Sequence, residues 1–163
     1  MSLQEELLND GVSHGMCQKF QDEWGDPSYA DLASKYFKGQ DFCIEHDWPA
    51  LDWCEKNLQG HLWQYGIFIS ETGSVLARNN ASRNIALLGN SDVDIEVQNM
   101  CDITVRHDSV LHLKALAGSF VYVSLHNNCK LHIVCKEPGA RICVSHFGGE
   151  IINSSLIDKY HKK

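Results

Sequence analysis

Histidine is the residue type in this chain whose number and spacing could support chemistry. The 163 residues include nine histidines, and five of them lie between His107 and His146. Imidazole nitrogens ligate metal ions and transfer protons near neutral pH. A regular spacing recurs among the five: His107, His126 and His146 form one series, and His112 and His132 form a pair. These five residues are the candidate surface site of the sequence.

The histidines lie within a stretch of short alternating segments that runs from Asn84 to Ile152. Apolar residues recur in this stretch with a period of two, which is typical of strands with one buried face. Turn-forming residues separate the segments at regular intervals. The apolar sets are Val93, Ile95 and Val97; Ile103 and Val105; Leu111 and Leu113; Val121, Val123 and Leu125; Leu131 and Ile133; Ile142 and Val144; and Ile151.

This pattern predicts an α+β protein in which N-terminal helices precede a short β-solenoid with two strands in each coil, at about 20 residues per coil. The inward positions are Val, Ile or Leu in every segment, as stacked coils require. The turns also lack the Asn-Gly and Asp-Gly centres of tight hairpins. An antiparallel β-meander or a β-sandwich is the alternative fold.

In a solenoid, equivalent residues of successive coils lie about 4.8 Å apart. The spacing therefore predicts that His107, His126 and His146 form one column at a corner, and that His112 and His132 are neighbours on one sheet. Such columns are explained by a polar ladder of neutral imidazoles, or by a metal or anion site.

Two further clusters contain residue types that suit metals or acid–base chemistry. Asp41 and Glu45 would share a helix face close to His46 and Asp47, but a solvated helix end explains the same residues. The second cluster, with residues spaced by three, consists of His126, Cys129, His132 and Cys135. Here His132 and Cys135 are separated by an odd number of positions and should point to opposite faces of one strand, which argues against zinc.

Complete catalytic motifs are missing from the sequence. It contains no nucleophile elbow, phosphate loop, dinucleotide fingerprint or zincin helix, so we predict no catalytic residue, no bound metal and no cofactor. Residues 1–60 carry 12 acidic and 4 basic side chains, and residues 61–163 carry 9 acidic and 10 basic. This charge distribution argues against a nucleic-acid partner.

The composition predicts three regions: a helical cap at residues 1–62, a solenoid-like repeat region at 63–155 and a tail at 156–163. Eleven of the 15 aromatic residues precede Glu71. The helical stripes are Leu3, Leu7 and Leu8; Val12, Met16, Phe20 and Trp24; Tyr29, Leu32, Ala33, Tyr36 and Phe37; and Leu51, Cys54 and Leu58. Because the first coil of a solenoid has an open core, we expect these helices to cover it.

The predicted location is the cytoplasm. No apolar run approaches the length of about 18 residues that a membrane span needs, and the N-terminus lacks a signal-peptide pattern. Seven cysteines, an odd number, fit reduced thiols.

Two resemblances follow from these patterns. The alternating strands of the C-terminal half resemble the right-handed β-helix domains of cyclase-associated proteins and of bacterial adhesin heads. The segment 39–49, Gly-Gln-Asp-Phe-Cys-Ile-Glu-His-Asp-Trp-Pro, together with Trp24 and Tyr36, resembles a group of short uncharacterised bacterial proteins carried on prophages or mobile elements. The first implies a fold and the second a bacterial origin.

The sequence alone does not establish a function. We expect a non-enzymatic structural or protein-interaction module, with a protein partner or self-association and without a membrane partner. The alternative is a metal-dependent or hydrolytic enzyme that uses the surface histidines of the β region.

Overall fold

The computed structural model describes residues 1–78 and 84–163, and the chain forms two compact units, Met1–Tyr65 and Gly66–Lys163. The first unit is helical and the second is built of β-strands. Each unit has its own set of internal contacts and is described separately below.

The N-terminal unit contains short helices that begin at capping residues and bury aromatic side chains. Ser2 and Ser28 each form a capping box, with Glu5 and Asp31 respectively. The helices are α1 (Leu3–Ser13), α2 (Gln18–Asp22), α3 (Tyr29–Lys38), α4 (Gln40–His46) and α5 (Leu51–Asn57), followed by a 3-10 turn at Trp63–Tyr65. The indole nitrogen of Trp24 donates to the carbonyl of Gln4, so this buried ring has its polar atom satisfied.

One sequence prediction for this unit is wrong. The stripe from Val12 to Trp24 does not form one helix, because α1 ends at Ser13 and Gly15 adopts a left-handed backbone with φ of 95°.

The C-terminal unit is a β-solenoid of about five coils whose strands pair in parallel. Odd-numbered strands form one sheet, called sheet A, and even-numbered strands form the other, called sheet B. The strands are β1 (Ile67–Ile69), β2 (Thr72–Ala77), β3 (Asn84–Leu88), β4 (Asp92–Val97), β5 (Met100–Val105), β6 (Val110–Ala115), β7 (Phe120–Leu125), β8 (Lys130–Lys136), β9 (Arg141–His146), β10 (Glu150–Ile152) and β11 (Lys159–Lys162). Parallel pairing confirms the solenoid and excludes the meander alternative, whose neighbouring strands run antiparallel.

The solenoid core consists of the alternating apolar residues of both sheets. Val121, Val123, Leu131 and Ile133 are almost completely buried, and Tyr122 points outward with 47% of its surface exposed. The strand phase predicted from the alternation is therefore confirmed for these strands. Burial of each large aliphatic side chain contributes about 1.5–3 kcal/mol, so the repeated inward rows dominate the stability of this unit.

Coil length is not constant along the solenoid. Ile85 pairs with Ile103, Ile103 pairs with Val123, and Val123 pairs with Val144. These three coils have lengths of 18, 20 and 21 residues. The extra residue of the last coil lies in β8, where the pairing with β6 shifts register after Leu113.

Buried serines occupy one corner of the solenoid because they bond to the backbone of the turns. The hydroxyl of Ser91 donates to the carbonyl of Leu88 at 2.8 Å, and the hydroxyl of Ser109 donates to the carbonyl of Gly89 at 2.9 Å. Ser109 also accepts a hydrogen bond from the backbone N–H of Ser91 at 3.3 Å, which joins two successive coils. These bonds offset the cost of burying the hydroxyls.

The C-terminal segment, which the sequence set apart as a tail, contains a 3-10 turn at Ser154–Leu156 and the strand β11. The carboxylate of Asp158 accepts hydrogen bonds from Lys136 Nζ at 2.8 Å and from the Ile142 N–H at 2.9 Å. The Asp158 N–H donates to the Ile142 carbonyl. Asp158 thereby fixes the start of β11 against β9.

Candidate functional site

The register of sheet B brings His112 and His132 together. The two residues pair across β6 and β8, and both side chains lie on the outward face of the sheet. Their Nδ1 atoms are 3.3 Å apart and their ring centroids are 5.5 Å apart. The predicted neighbourhood of these two histidines is confirmed.

The predicted column of His107, His126 and His146 is wrong. His146 pairs with Leu125, the position before His126, and His126 instead stacks on Phe147. His107 lies at a corner, where its backbone N–H donates a hydrogen bond to Asn127 Oδ1. Continued through the corners, the strand register makes Asn127 the equivalent of His107 and Phe147 the equivalent of His126. His126 therefore lies one position before the equivalent of His107, and His146 lies one position before the equivalent of His126.

Each of these three histidines has its own hydrogen bonds or ring contacts. Nδ1 of His107 accepts a hydrogen bond from the Gly89 N–H at 2.9 Å, and His107 itself has a positive φ of 57°. His146 contacts the hydroxyl of Tyr160 through Nδ1 at 2.6 Å and the carbonyl of Gly149 through Nε2 at 2.9 Å. These bonds give the histidines of the corners a structural role.

Asp92 extends the histidine pair into a chain of three side chains. Its Oδ1 lies 2.9 Å from Nε2 of His112, on the opposite side of the ring from His132. A carboxylate only accepts hydrogen bonds, so Nε2 of His112 carries a proton. Sequence reasoning missed Asp92, although it precedes His112 by the same interval that separates His112 from His132.

Ion pairs flank the histidine pair on the same face of sheet B. Lys114 Nζ lies 3.6 Å from Glu96 Oε1, and Lys130 Nζ lies 3.9 Å from Glu150 Oε2. These side chains are between about two-fifths and two-thirds exposed, so each pair contributes little stability. They give this face a polar, mixed-charge surface around the imidazoles.

The fold divides the cluster of His126, Cys129, His132 and Cys135. Cys129 is buried at the corner, and His126 follows a strand of sheet A, whereas His132 belongs to sheet B. The register shift in β8 places Cys135 opposite Lys114, and therefore on the same outward face as His132. The parity argument that put His132 and Cys135 on opposite faces is wrong, because it assumed a strand without a bulge.

The acidic cluster of α4 lies at the surface of the N-terminal unit. Asp41, Glu45 and His46 are exposed, and Asp47 ends α4 in a left-handed conformation with φ of 46°. His46 packs its ring on Phe42, with centroids 4.5 Å apart. Within residues 1–78 and 84–163, no group of three or more His, Cys, Asp and Glu side chains is arranged to hold a metal ion.

A patch of aromatic and apolar residues lies on the outward face of sheet A, and the sequence reading missed it. Met100 pairs with Phe120, and Phe120 pairs with Arg141 on the next strand. The rings of Phe120 and Tyr122 are 5.0 Å apart. Met100 is 59% exposed and Tyr122 is 47% exposed. These four residues, Met100, Phe120, Tyr122 and Arg141, are called the Met100 patch below.

Burial perturbs several titratable groups of the solenoid. It raises the pKa of the Cys101 thiol to about 12, with the nearby Asp102 carboxylate adding to the effect. Burial likewise raises the pKa of Cys129 to about 11. The pKa of His126 is lowered, first by burial and then by the charge of Arg106. These groups are therefore neutral at pH 7, and Cys101 and Cys129 are poor nucleophiles.

Comparison of the chain with protein-family models, with curated proteins and with solved structures gave no match. Among the helices of the described residues, none combines the length and the apolar character that crossing a membrane requires.

Proposed function

We propose that this protein is a non-enzymatic protein-interaction module, and that the Met100 patch is its contact surface. The observation that carries the proposal is that Met100 and Tyr122 are exposed beside the half-buried Phe120, on a sheet whose other face is fully packed. Register, and not sequence proximity, brings Met100 and Phe120 together, so the cluster is a product of the fold.

The composition of the patch fits a protein partner. Aromatic residues, Met and Arg are enriched in the contact regions of protein interfaces. Phe120 and Tyr122 offer ring surface at a small cost in side-chain entropy, and Arg141 offers a bidentate donor beside them. We expect the partner to present apolar side chains flanked by a carboxylate that meets Arg141.

The β-solenoid supports this role because it holds the patch on a rigid surface. The side chains stand on adjacent parallel strands, β5 and β7, that pair along their whole length, so little ordering is needed on binding.

The seven free cysteines, of which Cys17 and Cys135 are exposed, fit a reducing compartment such as the bacterial cytoplasm.

The experiment is a comparison of captured proteins with three immobilised baits: the wild-type chain, Tyr122→Asp, and Val134→Asp. Val134 is 42% exposed on sheet B, away from the Met100 patch, and is the matched control. A partner of the patch should be retained by the wild-type and Val134→Asp baits and lost by Tyr122→Asp.

Affinity then tests the captured partner in purified form. Tyr122→Ala should weaken binding at least about tenfold, which corresponds to about 1.4 kcal/mol. Sedimentation velocity of each variant identifies the case in which the partner is a second copy of the chain. Capture that is equal for all three baits, or an affinity unchanged by Tyr122→Ala, would refute the proposed surface.

A second candidate function is catalysis by the surface histidines, and the chain of Asp92, His112 and His132 favours it. An Asp–His pair orients imidazole in many general bases. In this chain Nδ1 of His132 contacts His112 and not a hydroxyl or thiol nucleophile. Hydrolysis of a panel of ester and phosphoester substrates, lost in His112→Gln, would favour this candidate over the interaction module.

A further inference from the structure

Hydrogen-bond chemistry assigns one tautomer to each neutral imidazole of the histidine pair. Nε2 of His112 donates to Asp92 Oδ1, so Nδ1 of neutral His112 carries a lone pair and accepts. The hydrogen bond between the two Nδ1 atoms then requires His132 to donate. A single proton therefore lies between two nitrogen atoms that both can act as ligands.

The separation of these nitrogen atoms matches the geometry of a shared metal ion. Zn²⁺ binds imidazole nitrogen at about 2.0–2.1 Å, and two such ligands at a tetrahedral angle are about 3.3 Å apart. Nδ1 of His112 and Nδ1 of His132 are 3.3 Å apart. On metal binding both rings rotate, so that the two lone pairs turn from the line between the nitrogens toward one point.

Asp92 supplies the interaction that commonly supports a metal-ligating histidine. Such histidines donate their second ring N–H to a carboxylate, which fixes the tautomer and raises the basicity of the ligating nitrogen. Asp92 binds Nε2, on the far side of the ring from His132, so it orients His112 without competing for the ion.

We propose that His112 and His132 form a binding site for a divalent transition-metal ion of the Zn²⁺, Cu²⁺ and Ni²⁺ class. Both nitrogens are Nδ1, and Asp92 positions His112. On binding, the ion replaces the shared proton, and that proton moves through solvent from Nδ1 to Nε2 of His132. Two metal–nitrogen bonds replace two metal–water bonds of the hydrated ion, and the released waters return to solvent. Both rings stay neutral, so no net proton is released.

The outward position of the pair determines what kind of metal site this is. His112 is 31% exposed and stands on a sheet face, so water completes the coordination of the ion. Imidazole ligands favour the chosen metals over Mg²⁺ and Ca²⁺, which prefer oxygen. A site of this kind is exchangeable, unlike a closed structural zinc site.

The test is a titration of the metal-free full chain with Zn²⁺. Binding is measured by calorimetry, and the imidazole nitrogens are observed by long-range ¹H–¹⁵N NMR. One equivalent of Zn²⁺ should bind and should shift the Nδ1 resonances of His112 and His132. His112→Gln and His132→Gln should each weaken binding at least tenfold. Asp92→Asn should weaken it by about tenfold or more, as loss of an orienting carboxylate does.

Matched controls separate this site from other donors on the surface. His161→Gln removes an exposed histidine of β11, and Cys135→Ser removes the thiol on the same face of sheet B; neither should change the affinity. Circular dichroism without metal verifies that each variant folds. Zn²⁺ binding that persists in His112→Gln, Nδ1 resonances that do not move, or an affinity unchanged by Asp92→Asn would overturn the proposal.

Discussion

The imidazole ring of His126 lies stacked on the phenyl ring of Phe147, with centroids 4.6 Å apart and planes 12° from parallel. Burial, aided by the Arg106 charge, lowers the pKa of His126. The ordinary pKa of histidine is about 6.5. At pH values below this, His126 therefore takes up a proton more readily in the unfolded chain than in the folded one. The free energy of unfolding should fall as the pH drops from about 6.5 toward the lower pKa of the folded state.

The stack with Phe147 can be tested through the same group. In His126→Phe the stacking is kept and this part of the pH dependence should disappear, as measured by urea unfolding at pH 7.5 and pH 5. Phe147→Ala should raise the pKa of His126 toward its ordinary value in an NMR titration, because one ring face becomes solvated. A pKa of His126 that is already at or above that ordinary value in the wild-type chain would contradict the burial argument.

Asp158 should contribute stability that acid removes. Hydrogen bonds from Lys136 and from the Ile142 N–H lower the pKa of its carboxyl group. A lowered pKa in the folded state gives stability above the ordinary value near 4, and that stability is lost as the pH falls through the folded pKa. Asp158→Asn should lower the free energy of unfolding by about 1 kcal/mol at pH 7 and by less near pH 2.

Lys136→Gln is the matched variant for Asp158, because it removes the cation and leaves the hydrogen bond from Ile142. Lys136→Gln should lower the free energy of unfolding at pH 7 by less than Asp158→Asn does. An Asp158→Asn variant whose cost does not change between pH 7 and pH 2 would show that the carboxylate charge has no role.

Ile133→Ala should be among the costly substitutions of the solenoid. Ile133 is fully buried between the sheets, and truncation of such a residue costs about 2–5 kcal/mol. Its neighbour Val134 faces outward in the alternation of β8 and is exposed, so Val134→Ala should change stability by less than about 0.5 kcal/mol. Equal losses of unfolding free energy for the two variants in chemical denaturation would contradict the burial of Ile133 and the exposure of Val134.

The thiols should fall into two classes of reactivity. Cys17 and Cys135 are exposed, whereas Cys43, Cys54, Cys101, Cys129 and Cys143 are buried. A disulfide reagent at pH 8 should modify two thiols of the native chain quickly and all seven after unfolding. Cys101, with a pKa of about 12, should be among the slowest, because only about one molecule in 10⁴ carries its thiolate. Rapid modification of more than two thiols would contradict the burial.

The sequence predicted the solenoid because its signal is physical and local. A strand that faces the core on one side and solvent on the other must be apolar at every second position, so Val121, Val123, Leu131 and Ile133 reveal their phase without any knowledge of neighbours. The neighbourhood of His112 and His132 followed in the same way, since the register between β6 and β8 is regular up to and beyond this pair and shifts only after Leu113.

The remaining features depend on register, which spacing alone does not determine. The extra residue in β8 comes after Ile133, the last inward apolar residue of that strand, so the alternation before it is unbroken. It nevertheless displaces His146 from the position equivalent to His126. The contact of Asp92 with His112 is diagonal, because Asp92 pairs with Val110. The pairing of Met100 with Phe120 likewise depends on register, because neither residue type predicts that the two are neighbours on adjacent coils.

Parallel stacking makes each coil of this protein an exchangeable module. The segment from Leu111 to Lys130 spans one full coil, so its excision would join Val110 to Leu131 and bring β8 beside β4. Val93 would then meet Leu131 as it now meets Leu111, and Asp94 would lie next to His132 instead of His112. The chain can thus be shortened or extended in whole coils, and each such step would retain the hydrophobic interior while it changes which polar side chains meet outside.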